Sequence, residues 1–180
     1  MISKVTDYIS SLMDEIYYSE FYNIEKCSLL IKEQLKKNGR IVFFGQGHSV
    51  FVGIDAVNAY DLPCIFLREE EDINNLFSNI HKEDVLIITS NSGINEFVIE
   101  FARIAKEKGN KIIVITSYKH TFISKSRHRS NTKLFQYGDI VIDNACVCGD
   151  AAINDGEYYI GSYSSIANSS IVHSILRLCR

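Results

Sequence analysis

Val85-Leu86-Ile87-Ile88-Thr89-Ser90-Asn91-Ser92-Gly93-Ile94-Asn95 is the stretch on which the fold turns. Val85 to Thr89 are apolar or β-branched without a break, so a strand made of them has no polar face and must be covered on both sides, as in a parallel sheet. The serines and glycine that follow end the strand. Ile94, Phe97, Val98, Phe101 and Ala105 then recur at helical spacing, and Lys106, Lys108 and Gly109 close that helix with a cationic last turn and a residue free to take positive φ.

The same pattern repeats outward from this stretch. Ile41 to Phe44, Cys64 to Leu67, Ile112 to Thr116 and Ile140 to Ile142 are further short apolar runs separated by helical segments. This order predicts an α/β three-layer sandwich: a doubly wound, five-stranded parallel sheet in the flavodoxin-like order 2-1-3-4-5, with an N-terminal helical extension. Residues 1–180 are expected to form a single domain, with 1–38 the helical extension and 39–180 the α/β core. In the extension Val5, Ile9, Leu12 and Ile16, then Ile24, Cys27, Ile31 and Leu35, make a helical stripe that Asn38-Gly39 stops. A stripe longer than about 25 residues exceeds the usual globular helix, which predicts a kink near Tyr17 to Tyr22 and a contribution to a dimer.

A net charge of −3 supplies no field for a polyanion, so the expected partners are small molecules or copies of the chain, not nucleic acid. No apolar run approaches the roughly 18 residues of a membrane span, and no signal-peptide core is visible, which predicts a cytoplasmic protein without a membrane partner. The five cysteines are odd in number and irregular in spacing, as reduced thiols are.

A doubly wound sheet reverses its winding between strands one and three, and ligands collect at their carboxyl ends. There the first strand runs into Phe44-Gly45-Gln46-Gly47-His48-Ser49 and the third into Ser90 to Asn95. Gly45, Gly47 and Gly93 allow close backbone approach, and the hydroxyls of Ser49, Ser90 and Ser92, with the first amides of two helices, offer donors to an anion. A phosphate monoester, with three acceptor oxygens, suits such a nest better than a carboxylate. Ser92 alone reads equally as an N-cap and Gly93 as a tight turn; two such loops at one crevice favour a ligand.

Strand, Gly-x-Gly-x-Ser, helix, then strand, Ser-x-Ser-Gly, helix resembles the sugar isomerase (SIS) phosphosugar-binding superfamily. Thr116-Ser117, His120, Ser126-Arg127-His128, Lys133-Leu134, Asp139 to Asn144 and Gly149-Asp150-Ala151 are similar to a bacterial subfamily of phosphosugar-binding proteins related to phosphoheptose isomerases. The resemblance covers nearly the whole chain. It implies a five-stranded parallel sheet, a homodimer or homotetramer, and a phosphate bound by Ser90, Asn91, Ser92 and Gly93, with Gly47 and Ser49 closing the site. Asn95 stands where hexosamine-phosphate members carry Thr, exchanging a hydroxyl for an amide donor. The chain stops at Arg180, sooner than the resemblance leads one to expect, and Ala145-Cys146-Val147-Cys148 stands where Gly and Pro are expected.

Interconverting an aldose and a ketose phosphate requires a base beside the carbonyl and an acid for the oxygens. His48 and Asp55 are seven residues apart, close to two turns, and so project from one side of the helix after the first loop. Asp55 also falls where the resembled subfamily tends to carry an acidic residue, and the resemblance thus makes it the preferred carboxylate, with His48, His120 or His128 as its partner. Both His48 and Asp55 also have plain readings, as a loop histidine and a solvated carboxylate. Lys119 to Lys133 contains Lys119, His120, Lys125, Arg127, His128, Arg129 and Lys133 and no acidic residue. Such a run is ordinarily a solvated face, yet it starts at the ligand-bearing edge, where Arg127, His128 or Lys133 can neutralise a phosphate. Arg68-Glu69-Glu70-Glu71-Asp72 reads as an exposed acidic linker.

Cys146-x-Cys148 lacks a second ligand pair, so no metal is expected. Neither Gly-x-Ser-x-Gly nor Gly-Lys-Ser/Thr is present, which argues against a hydrolase elbow and a nucleotide P-loop. Gly45-x-Gly47-x-x-Val50 lacks the third glycine of a dinucleotide fingerprint, and no cofactor is called for. The chain is thus expected to bind a sugar phosphate, either as an aldose/ketose sugar-phosphate isomerase or as a non-catalytic sensor module.

Overall fold

A computed structural model describes residues 2–67, 72–154 and 156–180. Arg68 to Glu71 of the expected acidic linker lie outside the described residues; Asp72 caps the helix that follows, accepting from Asn74 N. In chain order the elements are helix α1 (Ile2–Leu35), strand β1 (Ile41–Gly45), a 3-10 turn at Gly47–Ser49, α2 (Val50–Ala59) and β2 (Cys64–Phe66). The short helix α3 (Ile73–Leu76), β3 (Val85–Thr89), α4 (Glu96–Lys108), β4 (Lys111–Thr116), short α5 (Tyr118–Thr121) and β5 (Ile140–Asp143) follow. A two-residue pair, β6 (Ile153–Asn154) and β7 (Tyr159–Ile160), precedes the last helix, α6 (Tyr163–Leu178).

The sheet is parallel throughout and runs β2-β1-β3-β4-β5, the order expected from the sequence. Its central strands are buried on both faces, which is why they carry no alternation of polar and apolar residues. Ile41, Phe43, Val85, Ile87, Ile113, Ile115 and Ile142 pack with residues of α1, α2 and α6. Val42, Phe44, Leu86, Ile88, Ile112 and Val114 pack with residues of α3 and α4 on the other side. Phe101 of α4 stacks on Phe44 at 4.1 Å between ring centroids and on Phe77 at 4.8 Å.

At the amino ends of β1 and β3, Asp84 is completely buried. It accepts from Arg40 Nη2 at 2.7 Å, Arg40 N at 2.8 Å and His81 N at 2.9 Å. Burial works to raise its pKa, but the bonds from Arg40 and the two amides outweigh it and the carboxyl titrates below its ordinary value. The winding of the sheet is thereby pinned at the end opposite the loops.

The chain does not break near Tyr17 to Tyr22, and α1 continues through that segment as one helix. Neither Gly nor Pro occurs between residues 2 and 35, so nothing covalent forces a break. The buried seam also passes straight through it, from Leu12 and Ile16 by Glu20 to Ile24, Cys27 and Ile31. Glu20 hid the continuity because a carboxylate at a core position interrupts an apolar stripe. It accepts from Asn23 Nδ2 at 2.7 Å, and burial raises its pKa. The other face of α1 exposes Tyr17, Tyr18, Phe21, Tyr22 and Leu29. Among the described residues no helix is long and apolar enough to cross a membrane.

Candidate functional site

Gly45 of β1 and Thr89 of β3 are register partners, so the loops that follow leave the sheet side by side. They border a cavity of about 330 Å³ lined by Gln46, Gly47, His48 and Ser49 from the first loop and by Ser90, Asn91, Ser92, Asn95 and Val98 from the second. His120, Gly149, Asp150 and Ser164 complete the wall. Of the expected site residues, this cavity brings together Gly47, His48, Ser49, Ser90, Asn91, Ser92, Asn95 and His120. Gly93 shapes the second loop from beneath.

The loop after β3 turns its acceptors inward. The Asn91 carbonyl accepts from Ser117 N at 3.0 Å, the Ser92 carbonyl from Thr121 Oγ1 at 2.9 Å, the Gly93 carbonyl from Leu134 N at 2.9 Å and the Ile94 carbonyl from Arg127 N at 3.1 Å. With four successive carbonyls engaged on the protein side, the groups this loop has left to offer are mainly donors. Among the described residues the Asn91 and Ser92 amides, and the Ser49 and Ser92 hydroxyls, have no hydrogen-bond partner in the protein. Ser90 Oγ accepts from Gly93 N at 3.2 Å, which keeps its own hydrogen for another acceptor.

Ser92 is not the N-cap of α4. The helix starts at Glu96 and Asn95 caps it, its Oδ1 accepting from Phe97 N and Val98 N, which leaves the Asn95 amide hydrogens for the cavity. Gly93 has φ +62°, and a Cβ there would lie 2.9 Å from Thr116 Oγ1 and 3.0 Å from Thr121 Oγ1. Those two hydroxyls bond to each other at 2.9 Å. Gly47, at φ +58°, has open space where its Cβ would be.

The remaining candidates lie elsewhere. Asp55 is outside the cavity lining; its exposed carboxylate meets His173 Nε2 at 2.5 Å and Ser169 Oγ at 3.2 Å. The bond to His173 holds its pKa below the usual carboxylate value. His173 Nδ1 in turn meets Tyr60 Oη at 3.1 Å. His128 is buried against Glu100 Oε2 at 3.0 Å and Ser130 Oγ at 2.6 Å. Lys133 Nζ donates to the Thr121 carbonyl at 2.6 Å. Arg127 is exposed and borders a neighbouring depression with Asn95, Glu96 and Glu100. The acid-free run from Lys119 to Lys133 therefore finds partners on other elements, with Lys119 paired to Glu15 at 2.9 Å and His128 hydrogen-bonded to Glu100. The backbone of this run clamps the loop after β3.

His120 is the half-buried histidine in the wall. Its Nδ1 is buried without a hydrogen-bond partner among the described residues. Burial lowers its pKa, and the charge of Asp150 opposes that shift. Asp150 accepts from Ser164 N and Ser164 Oγ, both at 2.6 Å, and from Ser162 Oγ at 3.0 Å, so it ties the first turn of α6 to the cavity. Asp150, Ser164 and His173 were not singled out for roles from the sequence. Tyr163, Ala167, Ile171 and Ile175 recur every fourth residue and carry the signal for α6. Among the described residues no group of three or more His, Cys, Asp or Glu is placed to hold a metal.

The family model described as SIS domain matches residues 68–117, the segment that carries β3 and the serine- and glycine-rich loop at the switch point. The chain belongs to the UPF0309 family: it is 30% identical to a UPF0309 protein of Halalkalibacterium halodurans, over 98% of this chain and 84% of that relative. Solved structures of lower identity share the fold. Phosphoheptose isomerase from Neisseria gonorrhoeae is similar with a TM-score of 0.71 at 14% identity, over 99% of this chain and 97% of the other. The sugar isomerase domain of an RpiR transcription factor from Sphaerobacter thermophilus is similar with a TM-score of 0.71 at 14% identity, over 99% of this chain and 89% of the other.

Proposed function

We propose that the chain binds a phosphorylated sugar, its phosphate held by Ser90, Asn91 and Ser92, with Gly93 shaping their loop and Ser49 and Asn95 alongside. The observation that carries this reading is the polarity of the loop after β3: four consecutive carbonyls are bound to the protein, and hydroxyl and amide donors remain toward the cavity. An anion with several acceptor oxygens complements that surface. A neutral sugar, whose hydroxyls donate as well as accept, does not by itself explain it. The apolar face of α1 belongs to the same proposal as the contact of a homodimer.

A panel of sugar phosphates with unphosphorylated controls, read by thermal shift, tests the binding. A sugar phosphate at 100 times its dissociation constant should add about 2.7 kcal/mol of stability, and its plain sugar should add almost none. Ser92→Ala should weaken binding by about 1–3 kcal/mol, the loss of one bond to a charged acceptor. Equal shifts from phosphorylated and plain sugars would contradict the reading.

The catalytic form of the proposal is aldose/ketose isomerisation. A half-buried imidazole kept neutral by desolvation suits His120 to take a proton next to the sugar carbonyl, and Asp55 with His173 offers a second acid–base pair. The placement of Asp55 outside the cavity lining favours instead a sensor module, which binds without turnover. Turnover separates the two. In an isomerase His120→Ala should remove it while leaving a ligand-induced thermal shift in place, and loss on Asp55→Ala as well would bring the Asp55–His173 pair into the reaction. If the unaltered protein shows the shift with no ketose formed from any aldose phosphate, the sensor reading stands.

A further inference from the structure

Behind the loop after β3 three asparagine side chains form a line from the core to the cavity. Asn144, at the end of β5, and Asn168, in α6, are both completely buried, and Asn91 lines the cavity. Asn144 Nδ2 donates to Asn91 Oδ1 at 3.2 Å and to Asn168 Oδ1 at 2.9 Å. Asn144 Oδ1 accepts from Cys146 N at 3.1 Å.

The order of donors and acceptors along this line is fixed at one end by chemistry. The Cys146 amide can only donate, so the Asn144 atom facing it must be the oxygen. The Asn144 NH2 group then faces the other two asparagines and has one hydrogen for each. Each of them must answer with its oxygen. Asn91 is left with its NH2 group turned away from Asn144, which makes it a donor for the cavity it lines. Asn168 shows what this arrangement costs, because its Nδ2 is buried with no partner among the described residues. If Asn144 did not dictate polarity, a rotation of the Asn168 amide would be free to seek a partner for that group.

We propose that Asn144 is a positioning residue, which acts through the Asn91 side chain to present an NH2 donor rather than a carbonyl to the bound phosphate. The inference rests on the phosphate reading of the cavity. It also explains why Asn rather than Asp or Leu occupies a fully buried position at the end of β5. Asp would keep the bond from the Cys146 amide but could only accept from Asn91, turning the Asn91 oxygen toward the anion. Leu would leave the Cys146 amide unpaired and the Asn91 amide unrestrained.

The test is a double-mutant cycle on the full chain, with inorganic phosphate as the probe in calorimetric titration. Asn91→Ala should weaken phosphate binding about tenfold, the loss of one charge-assisted bond. Asn144→Asp should weaken it at least as much. In the Asn91→Ala background, Asn144→Asp should change the affinity by less than about threefold, because the group through which it acts is gone. Losses that simply multiply would overturn the proposal, since direct repulsion by the new carboxylate, or a distorted loop, persists without Asn91. An unaltered protein that ignores phosphate would overturn the phosphate reading itself and this inference with it. A second measurement needs no folded variant. On adding phosphate to the 15N-labelled unaltered protein, the Asn91 side-chain NH2 resonances should shift while those of Asn144 stay. A static Asn91 pair would overturn the proposal.

Discussion

Gly93→Val is expected to abolish sugar-phosphate binding and to lower stability by about 3 kcal/mol. Two costs combine. A β-branched residue at φ +62° sits in a backbone region that such side chains rarely adopt. Its Cβ also falls within 3.0 Å of both Thr116 Oγ1 and Thr121 Oγ1, in a space those hydroxyls fill by bonding to each other. Thr121 Oγ1 holds the Ser92 carbonyl inward and Thr116 Oγ1 reaches the Asn91 carbonyl at 3.3 Å, so displacing them frees acceptors to turn toward the cavity. The loss of binding should therefore exceed what the fall in stability alone would give. Chemical denaturation together with phosphate titration checks both parts. For stability Gly47→Ala supplies the comparison, since its Cβ would meet no protein atom and the change should cost only the local backbone strain, about 1 kcal/mol. A Gly93→Val protein that binds normally would show that the inward carbonyls do not matter.

Asp84→Ala should cost about 3 kcal/mol or more of stability while leaving the site of the surviving folded protein unchanged. The carboxylate is buried at the opposite end of the sheet and serves the Arg40 guanidinium and two backbone amides at once. Removing it orphans both amides and leaves the Arg40 guanidinium only the Asn79 carbonyl. The pH dependence has a definite sign. The folded-state pKa lies below that of the unfolded chain, so this contribution is fully present above the unfolded carboxyl pKa, about 3.9, and fades as pH falls through the folded value. Urea unfolding at neutral pH and again in acid should show the gap between Asp84→Ala and the unaltered protein closing in acid. A gap independent of pH would mean that the carboxylate is not the group responsible.

Much of the fold was legible because its signals were local. Val85 to Thr89 form the central strand as read, and the other four runs differ from the observed strands by a residue or so at their ends. Continuous burial on both faces writes itself into consecutive residues. Glu20 defeated the same logic in α1, because a single carboxylate with its own partner occupies a core position. The pair β6 and β7 escaped notice because two-residue strands have no period to read. For the site, both loops and their meeting place followed from strand order, whereas the partners of the candidate charges did not. The sequence neighbours of His128 and Lys119 gave no hint of Glu100 and Glu15, which arrive from α4 and α1. Asp55 meets His173 from a helix more than a hundred residues away. Such pairings are properties of the fold, and a spacing rule on one helix cannot anticipate them.

A crystal structure of the protein with a sugar phosphate bound tests the central claim most directly. The account predicts the phosphoryl group within about 2.6–3.2 Å of the Ser49, Ser90 and Ser92 hydroxyls and the Asn91 amide, between the ends of β1 and β3. A phosphate seated elsewhere, with the Asn91 to Ile94 carbonyls still bound to the protein and those donors facing only water, would contradict it.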